Sequence, residues 1–244
     1  MSKLICIDSG NVMHKGIFAF MNNPTLPPTW MYLRMIIGYL KKLGVTLDDT
    51  VIIAEDFGSW RKEIDKNYKA QRREFREEKQ DADWWKEVYK DFNEFIPKLD
   101  IALNWHFIKL YKMESDDIAS VAIRYLNDYD EKILISSDED WMQLCTFPNT
   151  KVFSPYSKKF KIVKNPEAIL AKKIKGDKSD NLLEEPKTEK EYEIRKMIVN
   201  LLELPQYIEQ PIKEVLLNLP EKKIYPNKIP FTSCRKAIID LYKL

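Results

Sequence analysis

The carboxylates of this chain fall into groups whose spacing has a chemical meaning. Glu114, Asp116 and Asp117 open a run in which Ile118, Val121, Ala122 and Tyr125 recur at helical spacing. Asp138 and Asp140 come just after Ile133, Leu134 and Ile135, which read as a buried strand. Asp8 follows the apolar stretch 3–7, Asp56 follows 51–54, and Glu114 follows a weaker strand at 107–110. In open α/β sheets, ligands bind outside the carboxyl ends of the strands. Carboxylates delivered together to that edge repel one another unless cations are present, and hard cations with oxygen ligands are the usual answer. One strand-end aspartate is commonly a helix cap. Apolar runs that are each followed by a carboxylate, and separated by helical patterns, point instead to a shared cation site.

The elements that must position these acids are legible in outline. The stretch 29–43 carries an apolar stripe of Met31, Leu33, Met35, Ile36, Tyr39 and Leu40, and Gly44 is a stop signal. The longest insertion lies between the second and third strands. Its first half, 57–79, is strongly charged and includes Arg61, Lys66, Lys69, Arg72 and Arg73. Its second half sets Trp84, Trp85, Val88, Phe92 and Phe95 at helical spacing, which is read as packing rather than as a stacking surface. Beyond Asp140, Trp141, Leu144 and Phe147 suggest a short packed helix, and 151–154 with 160–163 suggest a hairpin around Pro155, Tyr156 and Ser157. Asn165 followed by Pro166 is a helix start, and Gly176 ends that helix. The remainder is expected to be helical over 189–204, 212–219 and 233–244, punctuated by prolines that include Pro211. The expected fold class is α/β, a central mostly parallel sheet flanked by helices, with a helical C-terminal region.

Bulk properties bound the partners. The chain has 244 residues, ample apolar content at 44% and a formal charge of +2, so charge alone announces no nucleic acid. The distribution is more telling, because the stretch 158–178 is crowded with lysines, among them Lys172, Lys173, Lys175 and Lys178. Cys6, Cys145 and Cys234 form no zinc pattern and are expected to be reduced thiols in a cytoplasmic protein. No signal peptide and no membrane-spanning run is read from the sequence.

In their order along the chain, these motifs resemble those of the flap endonuclease/5′-3′ exonuclease family, in particular its compact bacteriophage members and the 5′-nuclease domain of bacterial DNA polymerase I. The matching residues are the run 7–11, which contains Asp8, then Asp56 followed by Tyr68, Lys69 and Arg72, then Glu114, Asp116 and Asp117, then Asp138 and Asp140, and finally the run 176–181 with Asp177 and Asp180. The resemblance implies a PIN-like 5′-nuclease fold, with a catalytic domain over 1–181, a helical arch over about 57–97, and a C-terminal region over 182–244 that packs on it and binds DNA. It implies that Asp8, Asp56, Glu114, Asp116 and Asp138 surround a first metal ion, and that Asp138, Asp140, Asp177 and Asp180 serve a second. Asp117 would be an outer ligand or a brace. Tyr68, Lys69 and Arg72 would stand at the base of the arch, and Lys15 where the family often has an arginine near the site. Arg61, Lys66, Arg73, Lys172, Lys173, Lys175 and Lys178 would contact nucleic acid. The metals would be two Mg2+, with Mn2+ able to substitute. The glycine-free stretch 182–204 departs from the family's helix–hairpin element, so no K+ site is expected there.

The residue types suit that chemistry. Phosphodiester hydrolysis needs a water made nucleophilic at neutral pH and a stabilised leaving oxygen, and two divalent ions about 3.5–4 Å apart do both. Lysine adds positive charge without competing for metal. The resemblance implies branched or nicked DNA and RNA–DNA hybrids as substrates, and a replication protein as a further partner, for a monomer. Two other readings compete: a non-catalytic structure-specific nucleic-acid-binding protein on the same scaffold, and a phosphohydrolase of small esters. None of the expected acids is missing, which counts against the first, and a small substrate needs no long basic segment, which counts against the second.

Overall fold

The computed structural model describes residues 2–71 and 82–244. Strands β1 (Lys3–Asp8), β2 (Thr50–Glu55), β3 (His106–Lys109), β4 (Glu131–Ile135), β5 (Thr150–Ser154) and β6 (Lys159–Phe160) form a sheet in the order β3-β2-β1-β4-β5-β6. All pairings are parallel except β5 with β6, the expected hairpin. The helices are α1 (Ser9–Asn22), α2 (Pro28–Lys42), the single turn α3 (Arg61–Ile64), α4 (Ala82–Ala102), α5 (Ser115–Tyr125), α6 (Pro166–Lys175), α7 (Glu189–Val199), α8 (Gln206–Leu217) and α9 (Thr232–Tyr242).

A parallel sheet covered on both faces needs strands that are apolar throughout. In β1, Ile5 and Ile7 enter one core with α1, α2, α4 and α9, while Leu4 and Cys6 enter the other with α5 and α8. The stripe Trp85, Val88, Phe92 and Phe95 of α4 is buried in the first core, as its spacing implies. Within the segment 57–97 expected to form an arch, α4 is therefore packed in the core beside the sheet. The central part of that segment, including Arg72 and Arg73, lies outside the described residues.

One helix is absent from the sequence reading, and two boundaries differ from it for packing reasons. A helix, α1, begins directly at Ser9, where Asp8 is both the end of β1 and the N-cap. Helix α7 stops at Val199 instead of running to 204, because the chain turns inward there. Gln143 binds the Val199 carbonyl at 3.1 Å and the Leu201 N–H at 3.2 Å, and Leu201 and Leu204 are buried in the second core. Pro211 does not precede a helix but lies inside α8. It removes one backbone donor, yet Ile208, Ile212 and Leu216 are spaced to bury one stripe against α5, and that packing prevails. The C-terminal helices thus complete the two cores on which the sheet rests. Among the described residues no helix is long and apolar enough to cross a membrane.

Candidate active site

The parallel strands end at one edge of the sheet, and the acids collect there. Asp8, Asp56, Glu114, Asp116 and Asp138 line a single cleft of about 450 Å³. Each is held by a donor on a neighbouring element. Asp8 accepts from the Asn11 N–H at 3.0 Å and from the Ser136 hydroxyl at 2.8 Å. Asp56 accepts from the Ser115 N–H at 2.7 Å, Asp116 from the Trp141 indole at 2.6 Å, and Asp138 from the Asp140 N–H at 3.0 Å. A Cβ on Gly10 would lie 3.3 Å from Asp56 Oδ2 and 3.6 Å from Asp8 Oδ1, so the missing side chain keeps open the space between these two carboxylates.

The electrostatics are those of acids short of cations. Burial, and then the charge of Asp56, push the Asp8 carboxyl up to about 7. Asp116 is held well above its usual range, by burial first and then by Asp138 and Glu114, against the opposing pull of Lys69. Glu114 goes the other way. Burial alone would raise it, but Lys69 and Arg61 outweigh that and hold it below its ordinary value. Lys69 Nζ lies 2.7 Å from Glu114 Oε1, Arg61 lies 3.0 Å from Oε2, and the Tyr68 hydroxyl donates to Oε2 at 3.1 Å.

A second group sits beside the first. Asp140, Asp177 and Asp180 each present a carboxylate oxygen, and these all lie within 4.8 Å of one another. Asp140 is pushed up to about 6, by burial and then by Asp138. The run 176–181 is bound to the base of the insertion. The Lys69 N–H donates to the Asp180 carbonyl at 3.0 Å, Gln71 donates to the carbonyls of Lys178 and Ser179 at 3.0 Å each, and Asn181 donates to the Asn67 carbonyl at 2.9 Å. Lys69 has φ 56°, an uncommon conformation for a residue with a Cβ, and this clasp holds it there.

Several expected roles are corrected. Arg61 is not a surface contact for nucleic acid. It is 1% exposed, and its guanidinium lies 2.8 Å from Asp117 Oδ1 as well as against Glu114. Charge compensation requires this, because Asp117 is fully buried and also takes the Trp60 indole at 3.1 Å. Asp117 accordingly does not line the cleft but is held between Arg61 and Trp60. Lys173 is likewise internal, paired with Asp140 at 2.8 Å and with Asp177, one helical turn further on. Its ammonium stands among the second group of acids as a positive charge. Lys15 turns away from the acid cleft, bonded to the Pro155 carbonyl and to the Tyr39 hydroxyl at 3.2 Å, beside Lys158. Lys66, Lys172, Lys175 and Lys178 are exposed, as expected. Trp60, Trp141, Ser136 and Asn11 were not legible as site residues. Only Asn11 and Ser136 carry a hint, since each flanks an acidic strand end.

The donor set fits hard divalent cations. It is made of carboxylate oxygens, with no histidine or thiol needed. Burial raises Asp8 and Asp116 within it, and a gap remains between Asp8 and Asp56 that glycine preserves.

The sequence model of the 5′-3′ exonuclease, N-terminal resolvase-like domain matches residues 3–174. The chain is similar to the ribonuclease H of Enterobacteria phage T4, 33% identical over 147 residues, covering 58% of this chain and 47% of that protein. It is similar to a 5′-3′ exonuclease of Mycoplasmopsis pulmonis (strain UAB CTIP), 26% identical over 196 residues, covering 74% of this chain and 61% of that one. The chain therefore spans less than two thirds of the length of either curated relative. Its fold matches phage T5 5′-exonuclease with divalent zinc bound, at TM-score 0.59 and 22% identity over 100% of this chain and 94% of that one. It also matches a phage T5 flap endonuclease in a pseudo-enzyme–product complex with DNA and metal ions, at TM-score 0.60 and 20% identity over 99% and 92%. With the sheet, the strand-end acids and a family match that reaches from β1 into α6, this chain belongs to the 5′-3′ exonuclease N-terminal, resolvase-like family.

Proposed function

We propose that this protein is a divalent-metal-dependent, structure-specific 5′-nuclease that hydrolyses phosphodiesters near the 5′ ends of branched or nicked DNA, and of RNA–DNA hybrids. The observation that carries this reading is the single cleft lined by Asp8, Asp56, Glu114, Asp116 and Asp138, with Asp140, Asp177 and Asp180 beside it. The first five would hold one Mg2+, and Asp138 with the second group would hold another. When bound, such ions supply a water that is nucleophilic at neutral pH and a counter-charge for the leaving oxygen.

The chain's own residues do the rest. Lys69, fixed at Glu114 and bonded through its backbone to Asp180, can turn its ammonium to a phosphoryl oxygen as negative charge develops there. The Tyr68 hydroxyl keeps Glu114 oriented, and Arg61 with Asp117 anchors it from beneath. Arg72 and Arg73 follow Lys69 closely in the chain and would extend its positive charge toward the substrate. Exposed Lys172, Lys175, Lys178 and Lys66 would contact phosphates outside the cleft. Lys173 would yield its place between Asp140 and Asp177 to the second ion. The test is cleavage of a 5′-labelled flap duplex with magnesium and with chelator. Cleavage that requires magnesium is expected, and turnover persisting in chelator would contradict the mechanism.

A further inference from the structure

The loops that follow β2 and β3 hold two aromatic side chains at the surface. Phe57, directly after Asp56, is 47% exposed, and Tyr111, shortly before Glu114, is 69% exposed. Their rings meet edge to face with centroids 5.6 Å apart. The backbone beneath them is built rather than loose. The Phe57 N–H donates to the Met113 carbonyl at 2.9 Å, and the Lys112 N–H donates to the Phe57 carbonyl at 2.7 Å. Gly58, at φ 86°, lets the first loop lie against the Lys112 backbone. Each ring carries an ammonium group, Lys109 Nζ 5.5 Å from the Phe57 centroid and Lys112 Nζ 5.2 Å from that of Tyr111. Lys109 also lines the acid cleft, so the aromatic pair is continuous with it.

Paired exposed rings interleaved with lysines suit unpaired nucleotides. Bases offer faces for stacking and phosphates offer anions for the lysines, whereas a duplex keeps its base faces hidden. The lysines rest on acids, Lys109 at 3.8 Å from Glu55 and Lys112 on the exposed Glu63, and these carboxylates hold each head beside its ring. We propose that Phe57 and Tyr111, with Lys109 and Lys112, form a stacking platform for the unpaired stretch of the strand that enters the acid cleft. The proposal rests on the nuclease reading and adds to it the place where single-stranded nucleic acid is held.

The experiment compares affinities, in chelator, for duplexes carrying a single-nucleotide 5′ tail or an unpaired 5′ tail of about ten nucleotides. The wild type should prefer the long tail by about fivefold or more. The double substitution Phe57→Ala with Tyr111→Ala should bring that ratio below about twofold. The pair Phe57→Tyr with Tyr111→Phe, which keeps both ring faces, should preserve it. If the alanine variant does not fold, Phe57→Leu with Tyr111→Leu keeps the apolar bulk, lacks the aromatic faces, and should lose the ratio equally. A wild type without the preference, or a folded variant without rings that retains it, overturns the platform. Magnesium-dependent cleavage of the single-nucleotide-tailed duplex by the wild type tests the nuclease reading separately. No cleavage there removes that reading, while cleavage with an unaltered tail preference in the variants removes only the platform.

Discussion

At the scale of single residues, position in the charge network decides what each side chain does. Asp138 touches both groups of acids, through the shared cleft and through the Asp140 N–H. Asp138→Asn should lower cleavage by on the order of a hundredfold or more while flap-duplex affinity changes little. Retained turnover in single-turnover assays would remove Asp138 from the metal-binding set. Lys69→Ala should slow the chemical step by about 10²–10³-fold, the range for loss of one donor to developing charge, with a smaller effect on affinity. An unchanged single-turnover rate would refute that role. Arg61 is a different case. Arg61→Leu strands Asp117 as a buried, uncompensated carboxylate and leaves Glu114 only Lys69 as a cation, and should destabilise the fold by about 3–5 kcal/mol. Denaturant unfolding reads this directly, and a variant as stable as the wild type would show that the pair does not carry that weight.

At the scale of elements, what could be read in the sequence was what burial writes into it. The strands β1, β2 and β4 are buried on both faces, so they appear as unbroken apolar runs, and the acids that end them stand out by contrast. The stripe on α4 was equally plain. Arg61 was not legible, because a lysine- and arginine-rich stretch looks solvated until its partners from a distant part of the chain are known. Lys173 hid in the same way within a lysine-rich run. The end of α7 and the start of α8 depend on Gln143 and on contacts with α5, none of them local. Those contacts also make the C-terminal helices part of the folded body. Ile212, fully buried beneath α5, should cost about 2–5 kcal/mol when changed to alanine. Removing the chain beyond residue 181 would strip Leu201, Ile208 and Ile212 from one core and Ile238 and Tyr242 from the other. The truncated chain is expected to lack a cooperative thermal transition, and a sharp one would mean that the sheet is stable without its last helices.

At the scale of the whole molecule, the acid cluster sets how stability depends on pH and on metal. Asp8 at about 7 and Asp140 at about 6 both lie above their unfolded values. Between the unfolded value and these figures the folded chain holds more protons than the unfolded one, so without metal its stability should fall as pH rises from about 4 to about 7. On the proposed reading magnesium would bind only the ionised, folded arrangement, and should therefore raise the melting temperature more at pH 8 than at pH 5. Equal shifts at both values would mean that the ions bind elsewhere. The most direct measurement is the number of divalent ions held by the folded chain, counted by titrating Mn2+ and following its free electron-spin signal. Two ions per chain are expected, with one site lost in Asp177→Asn combined with Asp180→Asn and both weakened in Asp138→Asn. A chain that leaves all the Mn2+ free would contradict the claim that these carboxylates form a metal site.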